Sequence, residues 1–131
     1  MPELRGIVTG SGRLLALALL AAVLAAGARA AAGGPAEPPG NAARGQALIT
    51  RLGCGSCHVI PGIEDADGMV GPPLDHIASR GYLAGMLRNT PDNMVTWLRH
   101  PQQIVPGNAM PDLGLSEADG RDIAAYLEAL K

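Results

Sequence analysis

An all-α domain with long irregular loops is the fold class this sequence predicts, and three observations predict it. Helix start and stop signals bracket three short stretches whose apolar residues recur at helical spacing. Between these stretches proline and glycine punctuate the chain at positions that favour turns over regular structure. No run alternates apolar and polar residues for long enough to read as a useful β-strand.

The first helix is expected over Ala42–Leu52, with Asn41 as its cap, Ala47, Leu48 and Leu52 on its apolar face, and Gly53 as its stop. Residues 59–81 read as loop, because Pro61-Gly62 and Gly71-Pro72-Pro73 break any helix. The acidic run Glu64-Asp65-Ala66-Asp67 lacks the longer, regularly spaced oxygen ligands of a calcium loop and reads as a solvated turn. Tyr82–Leu87 is expected to form a second helical stretch. Thr90 then caps a clearer helix, with Pro91 in its first turn and Asp92 behind it. That helix is expected to reach about His100, closed by Pro101, with Met94, Trp97 and Leu98 on one face. Residues 101–115 contain three prolines and two glycines and read as a stiff irregular loop. Ser116-Glu117-Ala118-Asp119 opens the last helix in the manner of a capping box. Its buried stripe is Ile123, Ala124, Tyr126, Leu127 and Leu130, and it is expected to run to near the C-terminus.

The chain has 131 residues, enough for one domain. Its first thirty read differently from the rest. Arg5 and Arg13 give a positive start, Leu14–Ala28 is an apolar run of 15 residues, and Ala28-Arg29-Ala30 offers small residues around a cleavage point. This is the layout of a secretory signal peptide over residues 1–30. An uncleaved anchor is the alternative, although the run falls short of the ~20 residues that span a bilayer comfortably. Either reading places the remainder outside the cytoplasm, in the periplasm or on the periplasmic face of the membrane, with residues 14–28 as the tether in the second case. Residues 31–40, mostly Ala, Gly and Pro, read as a flexible linker, and residues 41–131 as the domain proper.

Within residues 31–131 seven basic residues face eleven acidic ones, a net charge of −4, which argues against nucleic-acid binding. The chain has no Phe, one Trp and two Tyr, so a domain of about a hundred residues would have a thin aromatic core. A large flat apolar cofactor would supply the missing body.

Cys54-Gly55-Ser56-Cys57-His58 points to such a cofactor. Two thiols three apart, followed directly by histidine, form the attachment signature of a c-type haem. The thiols would make thioethers to the porphyrin, and His58 would be the proximal iron ligand. These are the only cysteines. An oxidising compartment also permits a Cys54–Cys57 disulfide, but a thioredoxin-like motif needs a surrounding βαβ pattern that is not visible. The second axial ligand must come from His76, His100, Met69, Met86, Met94 or Met110. Met110 is favoured because prolines brace its loop, Pro106-Gly107-Asn108-Ala109-Met110-Pro111, and a weakly bound thioether needs a fixed support. Met94 lies on an apolar helix face, where methionine is commonly core filler. An imidazole ligand or an open site remains the alternative.

From about Arg44 to Leu130 the sequence resembles a class I c-type cytochrome, especially the small bacterial domains found alone or fused to subunit II of haem–copper oxidases. The resemblance rests on the cysteine motif with Gly53, on Gly71-Pro72-Pro73-Leu74, Ser79-Arg80, Asn89-Thr90-Pro91, Trp97-Leu98, Pro101, the Met110 loop and Ala125-Tyr126-Leu127, in that order. It implies helices wrapped around one covalently attached haem c. It also implies that the Pro72 carbonyl accepts a hydrogen bond from His58, that Leu74 and Leu98 touch the haem, and that Arg80 pairs with a propionate. Trp97 would sit beside the methionine ligand with its N–H toward an acceptor, and Asn108 near a propionate. Gly45 and Tyr126 would form the close crossing of the first and last helices. Ile49 stands where an aromatic is usual, and Ala109 where mitochondrial cytochrome c has lysine. Lys131 is the only lysine, so a lysine docking ring is excluded.

The expected function is one-electron transfer between respiratory or dehydrogenase partners by a six-coordinate His/Met haem, without enzymatic chemistry. The alternatives are a dedicated haem subunit of an oxidase or dehydrogenase complex, and a haem enzyme or gas sensor in which Met110 does not ligate iron.

Overall fold

The computed structural model describes residues 39–131; the signal peptide or anchor and nearly all of the linker lie outside the described residues. Helix α1 spans Ala42–Arg51, with the Asn41 side chain accepting from the Arg44 N–H at 3.0 Å. It buries Gly45, Leu48 and Ile49, while Ala47, expected on the inner face, is exposed. Gly53 ends the helix with φ 70°, a left-handed conformation that glycine adopts without a steric penalty. A 3₁₀ turn, Cys54–Ser56, follows, and a second, Ile77–Ser79, interrupts the long loop.

Tyr82–Leu87 is not helical. Two short strands, β1 (Tyr82–Leu83) and β2 (Leu87–Arg88), pair antiparallel with Tyr82 opposite Arg88 and Leu83 opposite Leu87. Ala84 and Gly85 both have positive φ, 47° and 71°, which no α-helix accommodates. The hairpin is then tied to the loop before it by Asn89, whose Nδ2 donates to the carbonyls of Ile77 at 2.7 Å and Arg80 at 2.9 Å. Six residues are too few for apolar period to separate helix from hairpin.

Helix α2 spans Pro91–Arg99, capped by Thr90, whose hydroxyl accepts from the Asn93 N–H. The loop expected after it begins with one more short helix, α3, Pro101–Ile104. Proline suits this position because the first turn of a helix leaves its N–H without a partner anyway. Helix α4 spans Glu117–Leu127 and buries Gly120, Asp122, Ile123, Ala124 and Leu127. The Ser116 hydroxyl accepts from the Asp119 N–H at 3.1 Å and donates to the Asp119 carboxylate at 2.7 Å. That bond, helped by Arg44, holds the Asp119 carboxyl below the usual carboxylate range.

Two helix crossings set the frame. At Gly45 a Cβ would overlap the Asp122 carbonyl, so α1 and α4 touch backbone to backbone. The nearest atoms to that Cβ belong to the α4 backbone, and the Tyr126 hydroxyl on the same helix donates to the Pro61 carbonyl at 2.7 Å and ties down the loop. At Gly120 a Cβ would lie 3.2 Å from side-chain atoms of Val95 and Arg99, so α2 packs closely across α4. Buried Asp122 fastens the start of α1, accepting from the Asn41 N–H at 2.7 Å and pairing with Arg44 Nε at 2.9 Å. Leu48, Ile49, Ile60, Ile77, Leu83, Met94, Leu98, Ile123 and Leu127 converge between the helices and loops as the core. Among the described residues no helix is long and apolar enough to cross a membrane.

Candidate functional site

The core is not closed. A cavity of about 460 Å3 opens between α1, the cysteine loop, the hairpin, α2 and the Met110 loop, within the range of about 300–1,000 Å3 usual for cofactor sites. Its walls are mainly apolar, with Ile49, Leu52, Ile60, Leu74, Leu98 and Leu127 among the contributors. Every one of the expected site residues lines it: Cys54, Cys57, His58, Pro72, Leu74, Arg80, Trp97, Leu98, Asn108 and Met110.

One wall is the cysteine loop, and it is shaped by backbone. The N–H groups of Cys57 and His58 both bond to the Cys54 carbonyl, at 3.2 and 3.1 Å, which coils the motif so that both thiols and the imidazole line the cavity. Neither cysteine is in a disulfide. Burial pushes the Cys54 thiol above its ordinary pKa, with the neighbouring Cys57 adding to the effect and a backbone hydrogen bond opposing it. The following chain folds back over the motif: Gly68 N–H reaches the Gly55 carbonyl at 3.0 Å and Gly71 N–H the Cys57 carbonyl at 2.8 Å. Three glycines make that approach possible. A Cβ at Gly55 would meet Ala66, one at Gly68 would overlap the backbone of Ser56 and Cys57, and one at Gly71 would overlap the His58 ring. His58 Nδ1 lies 2.7 Å from the Pro72 carbonyl. A carbonyl can only accept, so Nδ1 carries the proton and Nε2 keeps its lone pair for a metal.

A second wall is the Met110 loop, and side chains shape it. Asn108 Nδ2 donates to the carbonyls of Pro101 at 3.0 Å and Val105 at 2.6 Å, and its Oδ1 accepts from the Met110 N–H at 2.7 Å. Gln102 on α3 donates from Nε2 to the carbonyls of Asn108 at 2.9 Å and Met110 at 2.7 Å, and accepts from the Gly107 N–H at 3.1 Å. Both N–H bonds of Asn108 are spent on backbone carbonyls, so Asn108 braces the methionine loop, a role beyond the proximity to a propionate that the resemblance implies.

The candidates for the second axial position separate by location. Met69 and Met86 are 91% and 63% exposed, and His76 is exposed with φ 54°. His100 is half-buried and does not line the cavity. Met94 and Met110 both line it; Met94 is 2% exposed within α2 and fills core space, whereas Met110 is half-buried on its braced loop.

Arg80 borders the cavity with its guanidinium on the carbonyls of Pro73 and Asp75. The Asp75 carboxylate is 3.6 Å away. The Trp97 indole lines the cavity between α2 and the Met110 loop. The roles of two residues that matter here were not legible in the sequence. Gly71 was marked as a turn-former and as part of the matching motif, but not as the position that makes room for the His58 ring, and Gln102 stands in a polar pair, Gln102-Gln103, with nothing to separate it from surface.

The donor set fits a c-type haem: two free thiols, an imidazole with an available Nε2 and a thioether, all lining one mainly apolar cavity. Among the described residues no cluster of three or more His, Cys, Asp or Glu could hold a metal ion by itself.

Comparisons with known proteins agree with this geometry. The family profile described as Cytochrome c matches residues 42–131. Cytochrome c2 of Rhodopila globiformis is 34% identical over 109 residues, which cover 72% of this chain and 97% of that protein. Cytochrome c oxidase subunit 2 of Alkalihalophilus pseudofirmus is 34% identical over 98 residues, covering 74% of this chain. The chain spans only 27% of that subunit's length. In fold it resembles a chain of SoxXA from P. pantotrophus, with a TM-score of 0.58 and 21% identity over 72% of this chain and 84% of that one. With Cys54, Cys57 and His58 in the haem c attachment pattern that such a domain implies, the chain belongs to the cytochrome c family.

Proposed function

We propose that the protein is a one-electron carrier whose single haem c, attached through Cys54 and Cys57, is ligated by His58 and Met110. The observation that carries this reading is that an imidazole and a thioether line one apolar cavity from two separately braced segments of the chain. When bound, the haem supplies a ferric/ferrous couple, and a thioether ligand in apolar surroundings favours the reduced state.

The chain's own residues do the rest. Pro72 fixes the His58 ring and makes it a better donor. Leu74, Leu98 and Trp97 exclude water. Arg80 can turn its remaining N–H groups to a propionate, and the Trp97 N–H can donate to an acceptor beside the methionine. With both axial positions filled by protein there is no place for a substrate, so we read the protein as a carrier and not an enzyme. Docking at the cavity mouth would be weak and brief, as redox encounters are. The partners would be an oxidase, a cytochrome complex or a dehydrogenase. Export through residues 1–30 would place the protein in the periplasm, or on the membrane's periplasmic face if residues 14–28 remain as a tether.

The test is optical. An oxidised spectrum with a charge-transfer band near ~695 nm, the expected mark of a methionine–iron bond, supports the reading. A high-spin spectrum without that band sinks it and favours a haem enzyme or sensor. Colour lost to acid–acetone would show that the haem is not covalent. A second reading, a dedicated haem subunit of a respiratory complex, is favoured by the likeness to oxidase subunit 2. Co-purification with an oxidase or dehydrogenase would select it.

A further inference from the structure

We infer that Gln102 is a positioning residue for the axial methionine: its side-chain amide staples the Met110 loop shut and so keeps other ligands off the iron. The inference rests on the reading of Met110 as an iron ligand and adds a residue to it that no family resemblance supplied.

The argument begins with what the loop needs. Residues 105–110 make one irregular turn, with Gly107 at φ 78°; backbone bonds reach only the Val105 N–H, which caps α3 on the Pro101 carbonyl, and the Asn108 N–H, on the Val105 carbonyl. A segment of this kind opens at little cost unless side chains hold it. Gln102 holds three of its backbone groups at once. Nε2 reaches the Asn108 carbonyl at 2.9 Å and the Met110 carbonyl at 2.7 Å, and Oε1 receives the Gly107 N–H at 3.1 Å. Both donors of the amide are used, and its acceptor is used.

The staple is anchored at its other end. Gln102 belongs to α3, whose first residue, Pro101, is among the largest fully buried side chains. Asn108 contributes a second set of bonds, to Val105 and Met110 within the loop and to Pro101 at the start of α3. Asn108 fixes the shape of the turn and adds one tie to α3, whereas Gln102 ties three of the loop's backbone groups to α3. Both amides reach the backbone of Met110, Asn108 at its N–H and Gln102 at its carbonyl.

A methionine–iron bond is weak and competes with any small ligand that reaches the sixth position. For such a ligand to enter, the Met110 loop must swing outward, which breaks the Gln102 bonds. This chain has no lysine near the site to act as an internal competitor, Lys131 being the only one. An external probe therefore reads the loop directly.

The experiment titrates the oxidised holoprotein with imidazole and follows the band near ~695 nm. Glu at 102 is nearly isosteric and keeps the acceptor for Gly107 but sets carboxylate oxygen against two carbonyls. Gln102→Glu and Gln102→Leu should each bind imidazole roughly tenfold more tightly than the unaltered protein, the size expected from freeing two carbonyls. Arg44→Ala, which loosens the α1–α4 clasp on the far side of α1 from the loop, should lower thermal stability without changing imidazole affinity. In the unaltered holoprotein the Gly107 amide should exchange slowly with deuterium, a measurement that needs no variant to fold.

Unchanged imidazole affinity in both Gln102 variants overturns the inference, as does an equal gain in Arg44→Ala or fast exchange at Gly107. A wild-type spectrum lacking the band overturns the Met110 reading itself and the inference with it.

Discussion

The two walls of the cavity solve the same problem with different chemistry. The cysteine wall, residues 53–72, is held by backbone hydrogen bonds drawn so tight that Gly55, Gly68 and Gly71 have no room for a methyl group. The methionine wall, residues 101–111, is held by two side-chain amides, Asn108 and Gln102. Backbone packing of the first kind is intolerant of bulk and indifferent to side-chain polarity. Amide bracing of the second kind tolerates bulk but depends on donors and acceptors being where they are. The first wall carries the covalent attachment, which need never let go. The second would, on the proposed reading, carry a weak ligand on a loop whose opening need not unfold the domain.

Breaking the cysteine wall should have the largest effect. Gly71→Ala forces a methyl group into the His58 ring and displaces it from the Pro72 carbonyl. The expected cost is about 3 kcal/mol or more, at the upper end for overpacking. It would appear as a lower denaturation midpoint and a perturbed low-spin spectrum. A Gly71→Ala protein as stable as the original would show that this wall yields more than its geometry implies.

On the methionine wall Asn108→Ala removes an amide that satisfies three backbone groups. About 2 kcal/mol of loss is expected, with the ~695 nm band bleaching at lower denaturant than the Soret band. If the two bleach together, the loop does not open independently and the contrast between the walls fails.

Arg44→Ala lies outside both walls and calibrates them. It leaves buried Asp122 with the Asn41 N–H but without its cation. We expect a loss of about 1 kcal/mol in a melt, tempered by solvent at the exposed Arg44, and an unchanged spectrum.

The smallest effect should be at Glu128. Burial, with a further push from Asp92, raises its carboxyl above the usual range, and one of its oxygens is buried without a hydrogen bond. A raised carboxyl pKa means the folded state favours the proton. The associated stability is present below the unfolded value and is lost as pH rises through the folded one. Glu128→Gln should therefore melt at a slightly higher temperature at neutral pH, with the gain disappearing near pH ~4, where the wild-type carboxyl is protonated. A gain that persists at the lower pH would assign it to packing and not to charge.

Much of this was legible beforehand, for local reasons. The caps at Asn41, Thr90 and Ser116 act within three residues of themselves, so short sequence windows contain their whole cause. The cysteine motif likewise holds its attachment chemistry in five consecutive residues. The Tyr82–Arg88 hairpin escaped because the apolar period of so short a stretch is ambiguous and its decisive contacts, from Asn89 to Ile77 and Arg80, come from outside it. Gly45 was recognised as a point of close approach, and the fold adds that the atoms nearest to it are those of the Asp122 backbone.

The sequence by itself determined helices α1, α2 and α4, the cysteine attachment motif and a short field of axial candidates, because each of those depends on chemistry carried by neighbours in the chain. Which candidates share a cavity, and that Asn108 and Gln102 spend their amides on the Met110 loop, only the tertiary structure decided. An amide's partners are set by which backbone groups the fold leaves unsatisfied within reach, and no spacing along the chain encodes that.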